Sequence, residues 1–100
     1  MAWVKVLKIS DIAEGQSKIA QAGGKEIAFF KLQGQIHALE NSCPHRGGPL
    51  GEGHLEGSDV TCPWHAWSFD VRTGECRTMP NVKQASYRVK IEGGDISVEV

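Results

Sequence analysis

Two short stretches, SCPHRGG at residues 42–48 and CPWHAW at residues 62–67, carry most of the chemistry in this chain. Each places a cysteine and a histidine two or three positions apart, with a proline directly after the cysteine. Thiolate and imidazole ligands favour zinc, copper or iron–sulfur clusters and exclude magnesium and calcium. The two stretches therefore indicate a metal centre built from two loops. Its candidate ligands are Cys43, His45, Cys62 and His65.

The spacing of these ligands separates two kinds of metal centre. Structural zinc sites commonly use Cys-x2–4-Cys and His-x3–5-His pairs, whereas each pair here is mixed and Cys43-x-His45 is tighter. Mixed pairs suit a centre with two metal ions if each loop gives its cysteine to one ion and its histidine to the other. That is the ligand set of a Rieske [2Fe–2S] centre, in which two histidines replace two cysteines on one iron. A zinc-binding interaction module remains the alternative from another functional class, and such a protein would be colourless.

Length and charge limit the other classes of function. The 100 residues are enough for a single domain, 1–100, because a second domain would lack a core of its own. The formal net charge is −1 and no basic stripe is present, so no nucleic acid partner is expected. No apolar run approaches the roughly 18 residues of a membrane-spanning helix, so no membrane partner is expected either. The start MAWVKVLKIS is typical of a strand and not of a signal peptide, and we expect a cytoplasmic protein.

Alternation of apolar and polar residues with a period of two predicts an all-β fold. Residues 86–92 and 95–100 alternate on either side of two glycines, as in a β-hairpin. The stretch EIAFFKL at 26–32 is apolar on both faces, which suits a buried strand. Further strands are predicted at 3–9, at about 17–22 and at 35–41, and one short turn is predicted at 10–15. The expected scaffold is a small antiparallel β-sandwich or barrel.

Residues 41–80 differ in composition from the rest of the chain. They contain all four prolines, all three cysteines and three of the four histidines. Gly51, Gly53 and Gly57 break any long strand in this region. We therefore predict a loop-rich, cluster-binding subdomain set into the β scaffold, since functional loops usually lie on a rigid framework.

The sequence resembles the Rieske-type ferredoxins over essentially its whole length, from WVKV through CPHRGG and CPWHAWSFDVRTGE to YRVKIEGGDISVEV. The resemblance implies a small antiparallel β domain with the cluster-binding subdomain at one end. It also implies one [2Fe–2S] cluster per chain. In this family Cys43 and Cys62 would hold the buried ferric iron, and His45 and His65 would hold the outer, redox-active iron.

The chain departs from the respiratory-chain Rieske proteins at four positions. Those proteins have an extra cysteine in each loop, and the two form a disulfide, but here the positions hold Gly48 and Trp64. They also have a serine and a tyrosine whose hydroxyls bond to cluster sulfurs, where this chain has Trp67 and Phe69. Hydrogen bonds to sulfur stabilise the reduced cluster, so their absence predicts a low reduction potential, toward the roughly −150 mV end of the Rieske range. The ferredoxins of bacterial oxygenase systems lie in this range.

Other residues of the two motifs have supporting roles. Pro44 and Pro63 stiffen the ligand loops because proline fixes φ and removes a backbone donor. Gly47 and Gly48 allow a tight turn and a close approach of the backbone to the cluster. Pro80 resembles the third loop of the family, which covers the cluster from the far side.

The remaining aromatic, histidine and cysteine residues are not assigned as ligands. The two tryptophans and the phenylalanine of the second motif either shield the cluster or form plain core. His37 and His54 are expected to be surface or structural histidines. Cys76 has no cysteine partner in the sequence and is expected to be a partly buried thiol without a redox role.

The resemblance implies an electron carrier, and no set of residues typical of a catalytic site is visible. As a ferredoxin of a bacterial oxygenase system, the protein would act as a monomer. It would pass electrons from a flavin-dependent reductase to a terminal oxygenase of the Rieske non-haem iron type. The sequence is also similar to the small subunit of assimilatory nitrite reductases, which would make the large subunit its stable partner. The two motifs do not distinguish these alternatives.

Overall fold

The computed structural model describes residues 2–43, 48–63 and 67–100 of the chain. Every strand pairing in this part of the chain is antiparallel, and the predicted all-β fold is confirmed. The strands are β1 (Trp3–Lys8), β2 (Ser17–Ala22), β3 (Lys25–Leu32), β4 (Gln35–Glu40), β5 (His54–Glu56), β6 (Asp59–Thr61), β7 (Ser68–Asp70), β8 (Ser86–Tyr87), β9 (Val89–Glu92) and β10 (Asp95–Glu99). Two short 3-10 turns, Ile9–Asp11 and Leu50–Glu52, complete the elements.

Two sheets form the scaffold, one in the order β1-β10-β9 and the other in the order β2-β3-β4-β8. Their strands match the predicted ones: β1 to β4 begin and end within one residue of the expected positions. The predicted run 86–92 is divided at Arg88, because Ser86 and Tyr87 pair with β4 whereas Val89–Glu92 pairs with β10. The chain thus crosses from one scaffold sheet to the other at this residue.

Strand β3 is buried on both faces because its two faces contribute to two different cores. Ile27 and Phe29 belong to the core between the scaffold sheets, together with Ile96 and Val98 of β10. Their neighbours Ala28 and Phe30 belong to a second core. All four side chains of this alternating run are fully buried. The apolar stretch on both faces of the predicted strand is therefore explained by a position between two cores.

The third sheet, in the order β5-β6-β7, lies within residues 41–80, where loops were expected. Each of its strands is only three residues long, which is too short for a period-two pattern to be read from the sequence. Gly53 precedes β5, and a Cβ atom at this position would lie 2.2 Å from the carbonyl oxygen of Thr61. The glycine that was expected to break strands thus allows β5 and β6 to approach closely.

The structure holds no helix, in the ranges it describes, with the length and apolar character needed to cross a bilayer.

Candidate metal centre

Two loops that begin with a cysteine close in the same way. The backbone N–H of Cys43 donates to the carbonyl of Gly48 at 2.8 Å, and that of Cys62 donates to the carbonyl of Trp67 at 2.7 Å. In each loop the cysteine therefore bonds to the residue five positions further on. These bonds define the first loop, from Cys43 to Gly48, and the second loop, from Cys62 to Trp67.

Each loop also stands on an antiparallel pair of residues. Ser42 bridges to Pro49 directly below the first loop. Thr61 pairs with Ser68 below the second loop, where β6 runs into β7, and their hydroxyl oxygens lie 3.0 Å apart. The cysteine is in both cases the first residue beyond the pair. The two halves of the predicted site are thus built on one local plan, although their sequences share little beyond Cys-Pro and a histidine.

The two cysteines, one from each loop, lie in the same apolar core. Cys43 is 2% exposed and Cys62 is 1% exposed. The other buried members of this core are Ala28, Phe30, Leu39, Leu50, Val60, Phe69 and Val71. Buried thiolates from separate loops are the donor atoms that hold the thiolate-bound iron of a mixed-ligand cluster, and the surrounding core keeps water away from them. The described part of the site therefore fits an iron–sulfur cluster.

His45 and His65 lie outside the described residues, as do Pro44, Gly47 and Trp64. Their roles stay predictions. Gly48 is buried at the end of the first loop, and Pro63 is exposed at the start of the second.

The first loop is held at its base by two buried amides that the sequence analysis did not single out. The Asn41 carboxamide oxygen accepts the N–H of Gly51 at 2.8 Å, and its nitrogen donates to Glu26 at 2.7 Å. The backbone carbonyl of Asn41 also accepts the N–H of Leu50 at 2.8 Å. On the other side, the side-chain amide of Gln84 donates to two backbone carbonyls beside Cys43. Asn41 could have been suspected from its place two residues before Cys43, but nothing in the sequence marks Gln84.

A buried carboxylate supports the segment after the second loop. The Asp70 side chain, 5% exposed, accepts hydrogen bonds from Nε and Nη2 of Arg72 at 3.1 and 3.0 Å. It also accepts the backbone N–H of Arg72 at 2.8 Å and Nη2 of Arg77 at 2.8 Å. These hydrogen bonds from Arg72, with the charges of both guanidinium groups, hold the pKa of Asp70 below its usual value and outweigh burial, which raises it. Arg77 in turn bonds to Asp59 at 3.2 Å and so ties β6 to the same carboxylate.

The aromatic residues of the second motif differ in their surroundings. Phe69 is fully buried in the core that contains the two cysteines. Trp67 is half-buried and packs against that core. Phe69 is therefore part of the core that encloses the two cysteines, so the two roles left open for these aromatic residues coincide at this position.

The histidine and cysteine residues that were not assigned as ligands lie away from the two loops or lack the surroundings of a ligand. His37 of β4 is partly buried, and burial lowers its pKa. His54 is 75% exposed at the start of β5, with its Nε2 3.4 Å from a Glu56 oxygen. Cys76 is half-buried, forms no disulfide and accepts the N–H of Met79 at 3.3 Å. Across residues 2–43, 48–63 and 67–100, no group of three or more His, Cys, Asp or Glu side chains converges on a second metal site.

An antiparallel β domain that presents Cys-x-His and Cys-x-x-His motifs on two matching loops defines the class of small iron–sulfur proteins with mixed cysteine and histidine ligands. Within that class, the chain belongs to the Rieske [2Fe-2S] domain family, which it matches over residues 2–92.

Several relatives with known roles have nearly the same length as this chain. The chain is 36% identical over 101 residues to the ferredoxin component of the naphthalene 1,2-dioxygenase system of Pseudomonas putida, a match covering 98% of this chain and 95% of the relative. The fold is also that of solved ferredoxins. The ferredoxin of carbazole 1,9a-dioxygenase from Nocardioides aromaticivorans IC177 superposes with a TM-score of 0.90 at 28% identity, over 98% of this chain and 97% of that one.

A third likeness is to a chain in a solved complex of reduced oxygenase and oxidised ferredoxin in carbazole 1,9a-dioxygenase. The TM-score is 0.87 and the identity 31%, over 96% of this chain and 91% of that chain.

Proposed function

We propose that this protein is a one-electron carrier that takes electrons from a flavin-dependent reductase and delivers them to a terminal oxygenase of the Rieske non-haem iron type. The observation that carries the proposal is the pair of matching loops whose cysteines meet in one apolar core. Membership of the Rieske family and near-full-length likeness to the naphthalene-system ferredoxin support the same function. The protein is a component of an oxidoreductase system and carries out no substrate chemistry of its own.

In this proposal four residues hold the cluster: Cys43, His45, Cys62 and His65. The two cysteines bind the inner iron and the two histidines bind the outer iron. When bound, the cluster supplies a couple that takes up and releases one electron. The core around Cys43 and Cys62 excludes water from the thiolate side. The base of each loop is closed by the N–H of its cysteine, and this closure would hold the ligand residues in place. Residues 41–80 form the cluster-binding part of a single domain that spans residues 1–100.

The proposed partners follow from the relatives. A ferredoxin in the carbazole system is known in complex with its oxygenase, and this chain is similar to a chain of that complex. We therefore infer an oxygenase as the acceptor, a reductase as the donor, and a cytoplasmic monomer as the carrier. The alternative is the small subunit of an assimilatory nitrite reductase. Size-exclusion chromatography of the protein in extracts of its source separates them, because a subunit elutes with its large partner and a carrier elutes near its own 10.9 kDa.

The ligand assignment is tested by substitutions for which the chain offers matched controls. Cys43→Ser and Cys62→Ser are compared with Cys76→Ser, and the two histidine ligands with His54, each changed to Ala. The proposal expects the visible spectrum of the Rieske cluster, and its electron paramagnetic resonance after dithionite, to be lost in every ligand variant and kept in both controls. A ligand variant that keeps the wild-type signal, or a colourless wild-type protein that contains zinc, would overturn it.

The carrier function itself is tested by rapid mixing. The reduced protein should be reoxidised in the presence of a naphthalene-type terminal oxygenase and dioxygen much faster than by dioxygen alone. Its oxidised form should be reduced by the matching reductase and NADH. Equal reoxidation rates with and without oxygenase would contradict the proposed acceptor while leaving the cluster assignment standing.

A further inference from the structure

Gln84 lies directly before the segment of the chain that pairs with β4. This pairing begins at Ala85, whose carbonyl accepts the N–H of Glu40 at 2.9 Å. The N–H of Gln84 instead donates to the carbonyl of Gly74 at 2.7 Å. The Gln84 residue is 5% exposed, so its side-chain amide must find its hydrogen-bond partners inside the protein.

The side chain of Gln84, and not its backbone, bonds to the segment that follows β4. Its Nε2 donates to the carbonyl of Glu40 at 2.7 Å and to the carbonyl of Ser42 at 2.6 Å. Both N–H bonds of the amide are therefore used on the backbone that leads into the first loop. The side chain takes the place of a neighbouring strand along the last residues before Cys43.

These bonds fix the peptide unit directly before Cys43. Its carbonyl, that of Ser42, is held by Gln84, and its N–H, that of Cys43, is held by the carbonyl of Gly48. Because a peptide unit is planar, holding it at both ends sets the orientation of its plane. The orientation of this plane restricts the directions in which the Cys43 side chain can leave the backbone.

The backbone of Gln84 reaches the support of the second loop. Its partner Gly74 donates its own N–H to the carbonyl of Asp70 at 2.7 Å, and Asp70 ends β7, which starts at the residue after the second loop. The approach is close: a Cβ atom on Gly74 would lie 2.3 Å from the carbonyl oxygen of Gln84, and Gly74 has a φ of +87°. Gln84 thus contacts the base of the first loop with its side chain, and its backbone contacts the turn that follows β7, the strand after the second loop.

We propose that Gln84 is a positioning residue for the iron–sulfur cluster, which sets the orientation of the Cys43 thiolate and the placement of the first loop against the second. The inference rests on the proposed ligand set. Without the amide, the first loop is held less firmly at its base, and water gains access to Cys43. A more polar surrounding stabilises the more negative, reduced cluster, so the reduction potential should rise.

The test compares Gln84→Met with Val98→Ala in the cluster-loaded protein. Methionine keeps the length of the side chain but removes both donors. Val98 is fully buried in the core between the scaffold sheets, so its truncation destabilises the fold at a distance from the loops. Three quantities are measured for each variant: the g-values of the reduced cluster, the reduction potential by film voltammetry, and the rate of cluster loss at fixed temperature.

The proposal expects altered g-values and a raised potential in Gln84→Met. It also expects cluster loss at least about tenfold faster than in the wild type, because two buried hydrogen bonds are removed and one alone is worth about that factor. Val98→Ala should melt earlier with an unchanged signal and potential. If Gln84→Met retains no cluster, the same three quantities are measured for Gln84→Asn. The shorter amide of asparagine cannot span the same distance to both carbonyls. A Gln84 variant with wild-type g-values and a reduction potential that is unchanged or lower would overturn the positioning role of Gln84 but not the ligand set. A wild-type protein without a Rieske signal would overturn both.

Discussion

Replacing Asp70 by asparagine should destabilise the protein far more than its position outside the ligand set suggests. The change keeps the shape of the side chain but removes the negative charge that faces Arg72 and Arg77. It also sets an amide nitrogen, which donates, against guanidinium groups that donate as well. The carboxylate accepts four hydrogen bonds in the folded protein, so the substitution disrupts the whole arrangement.

The size of the effect follows from the burial of the partners. Removing one member of a fully buried ion pair costs about 3–5 kcal/mol. Asp70 is 5% exposed, but the Arg72 and Arg77 side chains are 55% and 47% exposed and regain water when the carboxylate is lost. We therefore expect a loss of about 2–3 kcal/mol for Asp70→Asn, below the range of a fully buried pair.

The matched control is Asp95→Asn, which makes the same chemical change in an exposed ion pair. Asp95 lies 3.3 Å from Lys5, with side chains 30% and 69% exposed. An exposed pair contributes below about 1 kcal/mol. Thermal unfolding of the cluster-loaded proteins is followed by circular dichroism at one scan rate, and a domain of this size shifts by about 4–8 °C per kcal/mol. A Tm for Asp70→Asn within about 2 °C of the wild type, or a loss equal to that of Asp95→Asn, would refute the reasoning.

The pH dependence of this difference has a definite sign. The pKa of Asp70 is lowered in the folded protein, so its contribution to stability is complete above the unfolded carboxyl pKa of about 3.9. It is lost as the pH falls through the folded pKa. The gap in Tm between the wild type and Asp70→Asn should therefore be full at neutral pH and should close in acid. A gap that stays constant down to the acid-unfolding range would argue against a charged Asp70.

Three further predictions concern the turn after β3, the single tyrosine and the cluster. The Glu14 carboxylate accepts the backbone N–H groups of Gln33 and Gly34, which lower its pKa, so Glu14→Gln should speed hydrogen exchange at these two amides and leave the β10 amides unchanged. Burial and the hydrogen bond to Glu40 raise the pKa of Tyr87 to about 12, and because the chain has one tyrosine, its ultraviolet titration reads this pKa directly. Glu40→Gln should bring that pKa down, and an unchanged titration would contradict the stated cause. Voltammetry should place the reduction potential toward about −150 mV, and a value well above zero would contradict the absence of hydroxyl bonds to sulfur.

The scaffold could be predicted from the sequence because its strands are long enough to show a pattern. The strands β1 to β4 have six to eight residues and are separated by glycine-containing turns or short segments, so their limits were predicted within one residue. Ser86 and Tyr87 also follow the alternation, but nothing local determines which sheet they join. The division of this run between two sheets depends on pairing with Ala38 and Leu39, which are far away in the chain.

For the candidate site, the sequence predicts the ligands but not the groups that support them. Spacing and residue type identify the two cysteine–histidine motifs, because coordination chemistry demands those side chains. The supports of the loops carry no such mark. The Gln84 amide bonds to carbonyls 42 and 44 residues earlier in the chain, and a backbone carbonyl is present at every position. The three-residue strands of the third sheet were not predicted for the same reason, since their pairing partners and not their own sequences define them.

The position of β3 between two cores has a consequence for the order of assembly. Strands β2, β3 and β4 follow one another in the chain and pair with their neighbours, so the sheet closes only short loops as it forms. Once that sheet exists, Ala28, Phe30 and Leu39 already present one wall of the core that receives Cys43 and Cys62. We therefore expect the apoprotein to keep a folded scaffold with an unfinished compartment beside it. Iron and sulfide would then bind beside a sheet that has already folded without them.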